Sequence, residues 1–349
     1  MVKANYRIQR LRRSLRCLRV DAFLISNPSN IYYMSGFRGT DSYCLISLTD
    51  CFIITDFRYM EQAEKEAPYF SLVTGPKGLL KKTTGLIRNA RLKRVGFESD
   101  HLTVKEAEVI GSARGFKFCP VFQLIEKFRI IKDAQEIAYI RKASNIAKGV
   151  LHKVIKGIKQ GEREKDISLK IDLLLEKRGA EASAFETIVA SGANASMPHA
   201  RPTARRIKSK EPVVMDCGAR FNGYNSDLTR SRFVGKIDKS LILIYSSVAE
   251  AQALAIKKVA PGVKISDIDK AARNYITKKG FGSHFGHAAG HGIGIDVHES
   301  PGINSKNHST LKEGMVFSIE PAIYIPGWGG VRIEDLVLVT AKGHEVLTG

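Results

Sequence analysis

The chain contains 349 residues, enough for two domains that each bury a hydrophobic core. Hydrophobic residues make up 44% of it and charged residues 26%, a composition that excludes an intrinsically disordered chain. The formal net charge is +20. The basic runs lack interleaved aromatic residues for base stacking, so we interpret them as solvated faces and disfavour a nucleic-acid-binding protein.

The cysteines and the apolar segments indicate the cellular compartment. The five cysteines form no CxxC pair, which argues against a disulfide framework or a zinc–cysteine site and favours a reducing cytoplasm. The basic N-terminus lacks the uninterrupted apolar segment of a secretory signal. No apolar run approaches the roughly 20 residues that span a bilayer. The sequence therefore predicts a cytoplasmic protein without a membrane partner.

Helices and strands alternate over the first third of the chain. Amphipathic spacing predicts helices over Gln9–Leu18, Tyr59–Ala67 and Thr103–Gly111. Apolar and β-branched runs predict strands in AFLISN, YCLISL, CFIITD and KRVGFE. Strands and helices mixed at this spacing predict a small α/β domain.

A domain boundary falls near Phe128–Lys132. Directly after it, Asp133 and Glu136 have the spacing of a capping box. The apolar positions from residue 137 to residue 158 follow helical spacing, which predicts a long helix. We therefore expect one domain over 1–128 and a second over 129–349.

The second domain contains an internal repeat. The segments 161–179 and 262–280, 101 residues apart, share Gly, Asp-Ile, a basic position and a final Gly at equal offsets. Each predicts a helix that follows another helix and ends on a capping glycine, and strand-like sequence comes next. We expect a duplicated helix–helix–strand unit, hence a pseudo-symmetric domain with a site between its halves.

The segment 211–233 predicts a β-hairpin around the two-residue turn Asn222-Gly223. In the register that this turn imposes, Asp216 faces Thr229, and both share one strand face with Asp227. Two carboxylates on a largely buried face are costly unless a cation or hydrogen bonds offset their charge. The hairpin therefore favours metal ligands over turn-flanking, solvent-exposed aspartates.

Two glutamates occupy similar settings further along the chain. Glu320 ends the strand-like MVFSIE, Glu334 lies in GVRIEDLVLV, and the intervening PGWGG permits a hairpin between them. A glutamate beside an apolar run is seldom buried without a partner. Taken alone, Glu334 also fits an edge residue paired with Arg332.

Histidines could supply the nitrogen donors that the carboxylates lack. In AGHGIGIDVHESP, His291 can bind a metal and His298 can donate a hydrogen bond to a reacting carbonyl. The glycines at 290, 292 and 294 would let the backbone pass close to a metal centre. His199 lies in the proline-flanked loop SGANASMPHARP. Structural histidines in ordinary loops are the alternative for each.

These motifs resemble those of a known family. SGANASMPHA, MDCGARFNGYNSDLTRS, HAAGHGIGIDVHESP, FSIEPAIYIPGWGG and VRIED occur in the order and with the spacing of the proline-specific metallopeptidases, the prolidase and aminopeptidase P group. DAFLISNPSNIYYMSGFRG and ITDFRYMEQAEKE resemble the family's N-terminal domain. The resemblance implies an α+β protein whose pita-bread catalytic domain has pseudo-symmetric duplicated halves and follows a smaller creatinase-like α/β domain. Small departures are Ala322, where the family usually has glycine, and Cys217 beside a metal ligand.

By position, the resemblance also implies the role of each candidate residue. The implied metal ligands are Asp216, Asp227, His291, Glu320 and Glu334. The implied catalytic residues are His199, His298 and Glu320, and the implied substrate-binding residues are His287 and Arg332. Arg332 fits either a contact for a substrate carboxylate or a partner for a metal-bound carboxylate. An oxygen-rich ligand set with one imidazole suits two divalent ions, Mn²⁺, Co²⁺ or Zn²⁺.

The activity implied by the resemblance is hydrolysis of the Xaa-Pro bond at the N-terminus of proline-containing peptides by a homodimeric Xaa-Pro aminopeptidase. An Xaa-Pro dipeptidase (prolidase) is the alternative, which the motifs do not separate from it. A non-enzymatic binding module on the same fold is more remote, because all five ligand positions are present.

Overall fold

The computed structural model describes residues 2–75, 78–235, 237 and 239–349. The chain divides into two compact units, Met1–Arg129 and Ile130–Gly349. Each unit encloses hydrophobic clusters of its own.

The N-terminal unit is built on a mixed six-stranded sheet with the strand order β4-β3-β2-β1-β5-β6. The strands are β1 (Ala22–Ile25), β2 (Tyr43–Ser47), β3 (Cys51–Ile54), β4 (Ser71–Val73), β5 (Arg94–Glu98) and β6 (Lys117–Val121). The helices are α1 (Val2–Leu18), α2 (Pro28–Ser35), α3 (Met60–Glu66), α4 (Leu79–Asn89), α5 (Val104–Gly111) and α6 (Glu126–Arg129). Strand β1 is antiparallel to β2 and parallel to β5.

The predicted elements of this unit are confirmed, with changes at their ends. Helix α1 begins earlier than predicted, and α3 begins one residue later because Phe57–Tyr59 forms a 3₁₀ turn. The sequence patterns missed β4, β6, α2, α4 and α6. Strand β6 contains Pro120 and lies at the edge of the sheet, where a missing backbone donor is tolerated.

Three arginines of α1 have side-chain partners within the unit. The guanidinium of Arg7 lies over the ring of Tyr33, and that of Arg10 lies over the ring of Phe128. Arg12 donates hydrogen bonds to the carbonyl oxygens of Ser47 and Thr49. Part of the N-terminal positive charge therefore packs against the protein itself, whereas we had interpreted the whole run as a solvated face.

The C-terminal unit contains four long helices and several small sheets. The helices are α7 (Ala134–Gly157), α8 (Glu164–Lys177), α9 (Lys239–Lys257) and α10 (Ile265–Lys278). The strands are β7 (Ala182–Ser183), β8 (Ile188–Ser191), β9 (Pro212–Cys217), β10 (Ala219–Phe221), β11 (Tyr224–Asn225), β12 (Leu228–Phe233), β13 (Gly290–Gly292), β14 (Glu299–Ile303), β15 (Val316–Ile319), β16 (Ala322–Ile325), β17 (Gly329–Arg332), β18 (Asp335–Thr340) and β19 (Gly343–Val346). The principal sheets have the orders β12-β9-β8 and β14-β13-β15-β18-β19.

The predicted duplication of this unit is confirmed. Helices α8 and α10 are both 14 residues long and occupy equivalent positions of the repeat. Gly179 and Gly280 follow them with φ of +92° and +86°, the left-handed conformation of a capping glycine. Helices α7 and α8 pack on β9 and β12 in one cluster, while α9 and α10 pack on β15 and β18 in another.

Each half carries a hairpin whose register matters for the site. Strand β9 pairs with β12 so that Asp216 faces Thr229, which confirms the register predicted from the turn. Asn222 and Gly223 at that turn both have positive φ, as the two-residue hairpin turn requires. In the other half, β15 pairs with β18 and β16 pairs with β17 in one continuous register. That register sets Glu320 opposite Glu334.

Among the described residues, one helix, α9, is long and apolar enough to cross a bilayer by length and composition alone. One of its faces, formed by Ile244, Val248, Ala251 and Ala255, is buried in the hydrophobic cluster of its half. This burial accounts for one apolar face of α9, while Ile242 and Leu243 of the same helix are exposed.

Candidate functional site

The candidate site is built from residues that lie where strands end or pairing is interrupted. Asp216 is the penultimate residue of β9, and Asp227 lies between β11 and β12. Glu320 directly follows β15, and Glu334 directly precedes β18. His291 lies in β13. The first half therefore contributes two carboxylates, and the second half contributes two carboxylates and an imidazole.

One cavity of about 650 Å³ brings these side chains together. All nine residues predicted for the site line it, namely His199, Asp216, Asp227, His287, His291, His298, Glu320, Arg332 and Glu334. Asp227, His291 and Glu334 each place one donor atom within 4.8 Å of the others. Nε2 of His291 lies 3.6 Å from Oδ2 of Asp227 and 3.3 Å from Oε1 of Glu320.

Three carboxylates of this cavity each have one oxygen atom without a partner among the described residues. Oδ1 of Asp216, Oδ1 of Asp227 and Oε1 of Glu334 are buried and have no hydrogen-bond partner among the described residues. Burial and then the neighbouring Glu334 raise the pKa of Asp227 well above its usual range. Burial and then Glu320 do the same to the pKa of Glu334. A bound cation would reverse this penalty, so the donor set fits divalent metal ions.

The imidazole of His291 directs Nε2, the nitrogen that can bind a metal, at this cluster of carboxylates. Its Nδ1 lies 3.0 Å from the carbonyl oxygen of Gly292, and because a carbonyl only accepts, Nδ1 carries the proton. In the neutral ring, Nε2 then holds a lone pair, and Nε2 is the atom that faces Asp227 and Glu320. A backbone carbonyl that fixes the tautomer in this way is typical of metal-binding histidines.

Arg332 holds the carboxylates in place. Its Nη2 donates to Oδ2 of Asp216 at 2.5 Å, and its Nη1 donates to the hydroxyl of Tyr324 at 2.7 Å. Its Nε donates to Oγ1 of Thr229 at 3.0 Å, and that hydroxyl donates to Oε2 of Glu334 at 2.7 Å. The alternative that Glu334 is an edge residue paired with Arg332 is therefore wrong, because Arg332 forms its ion pair with Asp216 instead.

The remaining histidines surround the cluster. The rings of His298 and His291 meet edge to face, with centroids 4.3 Å apart and an interplanar angle of 73°, and His199 is exposed on the cavity wall. Partial burial and then the nearby His291 lower the pKa of His298. His287 donates from Nδ1 to the carbonyl of Ala288 at 2.7 Å, and burial lowers its pKa. Its Nε2 is buried, with no partner in the part of the chain that the structure describes.

The glycines near His291 make room for other backbone rather than for a metal. A Cβ at Gly290 would collide with the carbonyl oxygen of Ser318, and a Cβ at Gly292 would collide with that of Ser300. At Gly294 the Cβ would press on the carboxylate of Glu299. We expected these glycines to bring the backbone close to a metal centre, whereas the close approach that the structure shows is between β13 and the neighbouring β14 and β15 segments.

Comparison with known proteins identifies the family. Residues 138–341 match the model of metallopeptidase family M24, and residues 7–131 match that of the creatinase/prolidase N-terminal domain. The chain belongs to metallopeptidase family M24. The match covers more than half of the chain and contains every residue of the cluster described above.

Relatives of this M24 protein align along nearly their whole length. It is 36% identical over 333 residues to the Xaa-Pro dipeptidase of Pyrococcus horikoshii, covering 94% of this chain and 93% of the relative. The solved Xaa-Pro dipeptidase of Bacillus anthracis has a TM-score of 0.95 and 37% identity, covering 99% and 97% of the two chains. The X-Pro aminopeptidase of Thermotoga maritima has a TM-score of 0.91 and 34% identity, covering 98% and 97%. The family resemblance, the pita-bread catalytic fold and the creatinase-like N-terminal fold are thereby confirmed.

Sequence reasoning missed polar residues that support the M24 site. Ser318 accepts a hydrogen bond from the backbone amide of His291 and donates one to Oε1 of Glu320, both at 3.0 Å. Ser318 lies two residues before Glu320, so strand alternation would have placed it on the same face. Tyr324 carried no comparable signal, because its partner Arg332 is set by pairing between β16 and β17.

Proposed function

We propose that this M24 protein hydrolyses Xaa-Pro peptide bonds with divalent metal ions bound in the cavity. The observation that carries the proposal is that Asp216, Asp227 and Glu334 each bury an oxygen without a partner among the described residues, in the same cavity that Nε2 of His291 faces. The names of the relatives support the substrate class. Phe185, Ile188 and Val297 line the same cavity and offer apolar surface to a proline ring.

The residues that would hold the metal are Asp216, Asp227, His291, Glu320 and Glu334. Their oxygen-rich donor set with one imidazole suits two ions of Mn²⁺, Co²⁺ or Zn²⁺, to which Asp227 would contribute ligand oxygens from the first half and Glu334 from the second. Divalent ions in such a site lower the pKa of bound water and polarise a carbonyl oxygen. Arg332 would position Asp216 directly and Glu334 through Thr229, which supports the second of its two expected roles.

The other side chains would handle the substrate. His298 and His199 line the cavity beside the cluster and would donate hydrogen bonds to the oxygen on which charge develops. The lowered pKa of His298 keeps this ring neutral near pH 7, with one N–H to donate. Glu320, oriented by Ser318, would carry a proton to the departing proline nitrogen. His287 would contact substrate through its unpartnered Nε2.

Between the two Xaa-Pro activities we favour the dipeptidase. The resemblance implies an aminopeptidase first, whereas the relatives named as Xaa-Pro dipeptidases support a dipeptidase at least as well. The cavity mouth adds an argument, because an arginine there, Arg201, could pair with the free carboxylate that only a dipeptide places next to proline.

From the resemblance and the cysteine usage we also propose a cytoplasmic homodimer, which light scattering and fractionation would test.

The experiment is reconstitution of metal-free protein with Mn²⁺, Co²⁺ or Zn²⁺, followed by hydrolysis of Xaa-Pro, Xaa-Pro-Yaa and Xaa-Ala substrates. We expect no turnover without metal, turnover of Xaa-Pro after reconstitution, slower turnover of Xaa-Pro-Yaa and none of Xaa-Ala. Bound metal without hydrolysis of either proline substrate would refute the proposed activity. Faster cleavage of Xaa-Pro-Yaa would return the assignment to an aminopeptidase.

A further inference from the structure

The mouth of the cavity carries an ion pair that the proposed catalysis does not use. Arg201 and Glu186 both line the cavity, and Nε of Arg201 lies 3.5 Å from Oε2 of Glu186. The two side chains are 84% and 67% exposed. A pair this exposed is held weakly, so the guanidinium is available to a competing anion.

The charges that line the cavity make Arg201 the accessible cation for a negatively charged substrate group. Five carboxylates line the cavity, those of Glu186, Asp216, Asp227, Glu320 and Glu334. Among the described lining residues, the permanently positive side chains are Arg201 and Arg332. The guanidinium of Arg332 is buried, and all three of its nitrogens already donate to protein acceptors. A substrate anion therefore finds its accessible cation at Arg201.

A dipeptide ending in proline brings such an anion. Its free carboxylate lies close to the bond to be cleaved, so it enters a cavity lined with like charge. A longer peptide or a proline amide has a neutral carbonyl at the same place. Only the dipeptide therefore needs a cation near the proline. Removal of that cation should weaken binding of the dipeptide more than binding of the amide or of a longer peptide.

We propose that Arg201 is a specificity-determining residue that pairs with the proline carboxylate of Xaa-Pro dipeptides and releases Glu186 when it does so. This inference rests on the proposed Xaa-Pro hydrolysis. Arg201 lies two residues after His199, between Pro198 and Pro202, and the intervening Ala200 is buried. The loop that presents His199 thus also presents the cation, and its prolines limit the backbone freedom lost on binding.

The test compares an Xaa-Pro dipeptide with its Xaa-Pro amide on the metal-loaded enzyme. Arg201→Gln should lower kcat/KM for the dipeptide by about tenfold, mainly through KM, and leave the amide within about twofold. Arg201→Lys should recover part of the loss because it restores the charge without the planar fork. Lys208→Gln is the matched control, since this exposed lysine lies outside the cavity lining and its loss changes the net charge equally.

Three further measurements sharpen the test. Glu186→Gln should lower KM for the dipeptide, because Arg201 loses its competing partner. In a calorimetric titration, Arg201→Gln should weaken binding of L-proline but not of L-prolinamide, a readout independent of turnover. Added salt should raise KM for the dipeptide in the wild type more than in Arg201→Gln, because an exposed ion pair is screened.

The outcomes separate this inference from the proposed function. Equal losses on the dipeptide and the amide, or an unchanged dipeptide KM, would overturn the role of Arg201 while Xaa-Pro hydrolysis stands. A wild-type enzyme that cleaves neither substrate after metal loading would instead overturn the proposed function itself.

Discussion

Glu98 in the N-terminal unit and Asp227 in the C-terminal unit are both buried carboxylates, 1% and 5% exposed, but their surroundings differ. Glu98 accepts hydrogen bonds from the backbone amides of Ser26 and Asn27, from the Ser26 hydroxyl and from the Asn30 amide. Asp227 has an oxygen without a partner among the described residues and faces Glu334. The hydrogen bonds of Glu98 connect β5 with α2 and with the segment that follows β1. Asp227 instead keeps an oxygen available to a ligand.

This difference shows why burial alone does not mark a functional carboxylate. Burial raises the pKa of both groups, to about 7 for Glu98 and well above the usual range for Asp227. For Glu98, hydrogen bonds from Asn27, Asn30 and Ser26 oppose that increase. For Asp227, the groups that come next, Glu334 and Asp216, add to it. A buried carboxylate whose neighbours add to the rise of its pKa is therefore the better candidate for a ligand site.

The largest expected effect concerns the acid assigned to proton transfer. Glu320→Gln should lower kcat for an Xaa-Pro substrate by about 10²–10⁴-fold, because the amide cannot carry a proton. Its circular dichroism should match the wild type. The exposed Glu313 provides the matched control Glu313→Gln, which should keep full activity. Near-normal hydrolysis by Glu320→Gln would remove Glu320 from the chemistry.

A smaller effect is expected for Arg332, which positions the carboxylates but takes no part in the proposed proton transfer. Arg332→Lys should weaken metal affinity by about 10–100-fold, because lysine cannot contact Asp216, Thr229 and Tyr324 together. Metal titration by calorimetry measures this effect. The exposed Arg220→Lys serves as the control. Unchanged metal affinity combined with a raised KM would indicate the substrate-binding role instead.

The comparison between the two carboxylates predicts stability changes of opposite sign. In metal-free protein, Asp227→Asn should raise the free energy of unfolding by about 1–3 kcal/mol, because it removes repulsion from Glu334. Glu98→Gln should lower it by a similar amount, because the new amide group faces hydrogen-bond donors. Urea denaturation measures both, with the exposed Asp100→Asn as control. Two changes of the same sign would contradict the distinction.

The smallest expected effect is a pH dependence confined to the N-terminal unit. Because the pKa of Glu98 is raised to about 7 in the folded state, the folded chain binds more protons than the unfolded chain between about pH 4.5 and pH 7. The stability near Glu98 should therefore fall as pH rises through that window. Glu126, Arg129 and His101 are its charged or titratable neighbours.

Hydrogen exchange of the amides in β1 and β5, corrected for its intrinsic pH dependence, measures this local stability. Protection should decrease toward pH 7 in the wild type, and Glu98→Gln should flatten the decrease. A slope that persists in Glu98→Gln would assign the titration to another group of the network.

Local patterns in the sequence predicted much of this architecture. The capping box at Asp133 and the turn at Asn222-Gly223 depend on residues a few positions apart, and the repeat depends on glycines and an Asp-Ile pair at equal offsets within two short segments. For that reason they predicted α7, the register of the hairpin and the equivalence of α8 and α10. Residue patterns also supplied seven of the candidate site residues, the family motifs added His287 and Arg332, and all nine line one cavity.

Contacts between distant segments could not be predicted in the same way. The ion pair of Arg332 with Asp216 joins residues 116 positions apart, whereas the sequence pattern offered Glu334, two positions away. The network around Glu98 likewise joins β5 to the segment that follows β1, 72 positions earlier. Such partners depend on how strands assemble, which neither periodicity nor turn chemistry encodes.

The uninterrupted register of the two hairpins limits how the length of the chain can change. Most surface connections accept extra residues at small cost. One residue added to a strand between Asp216 and Asp227, or between Glu320 and Glu334, would turn the second carboxylate to the opposite sheet face. Those two intervals are therefore of fixed length, and engineered insertions should be placed in other loops.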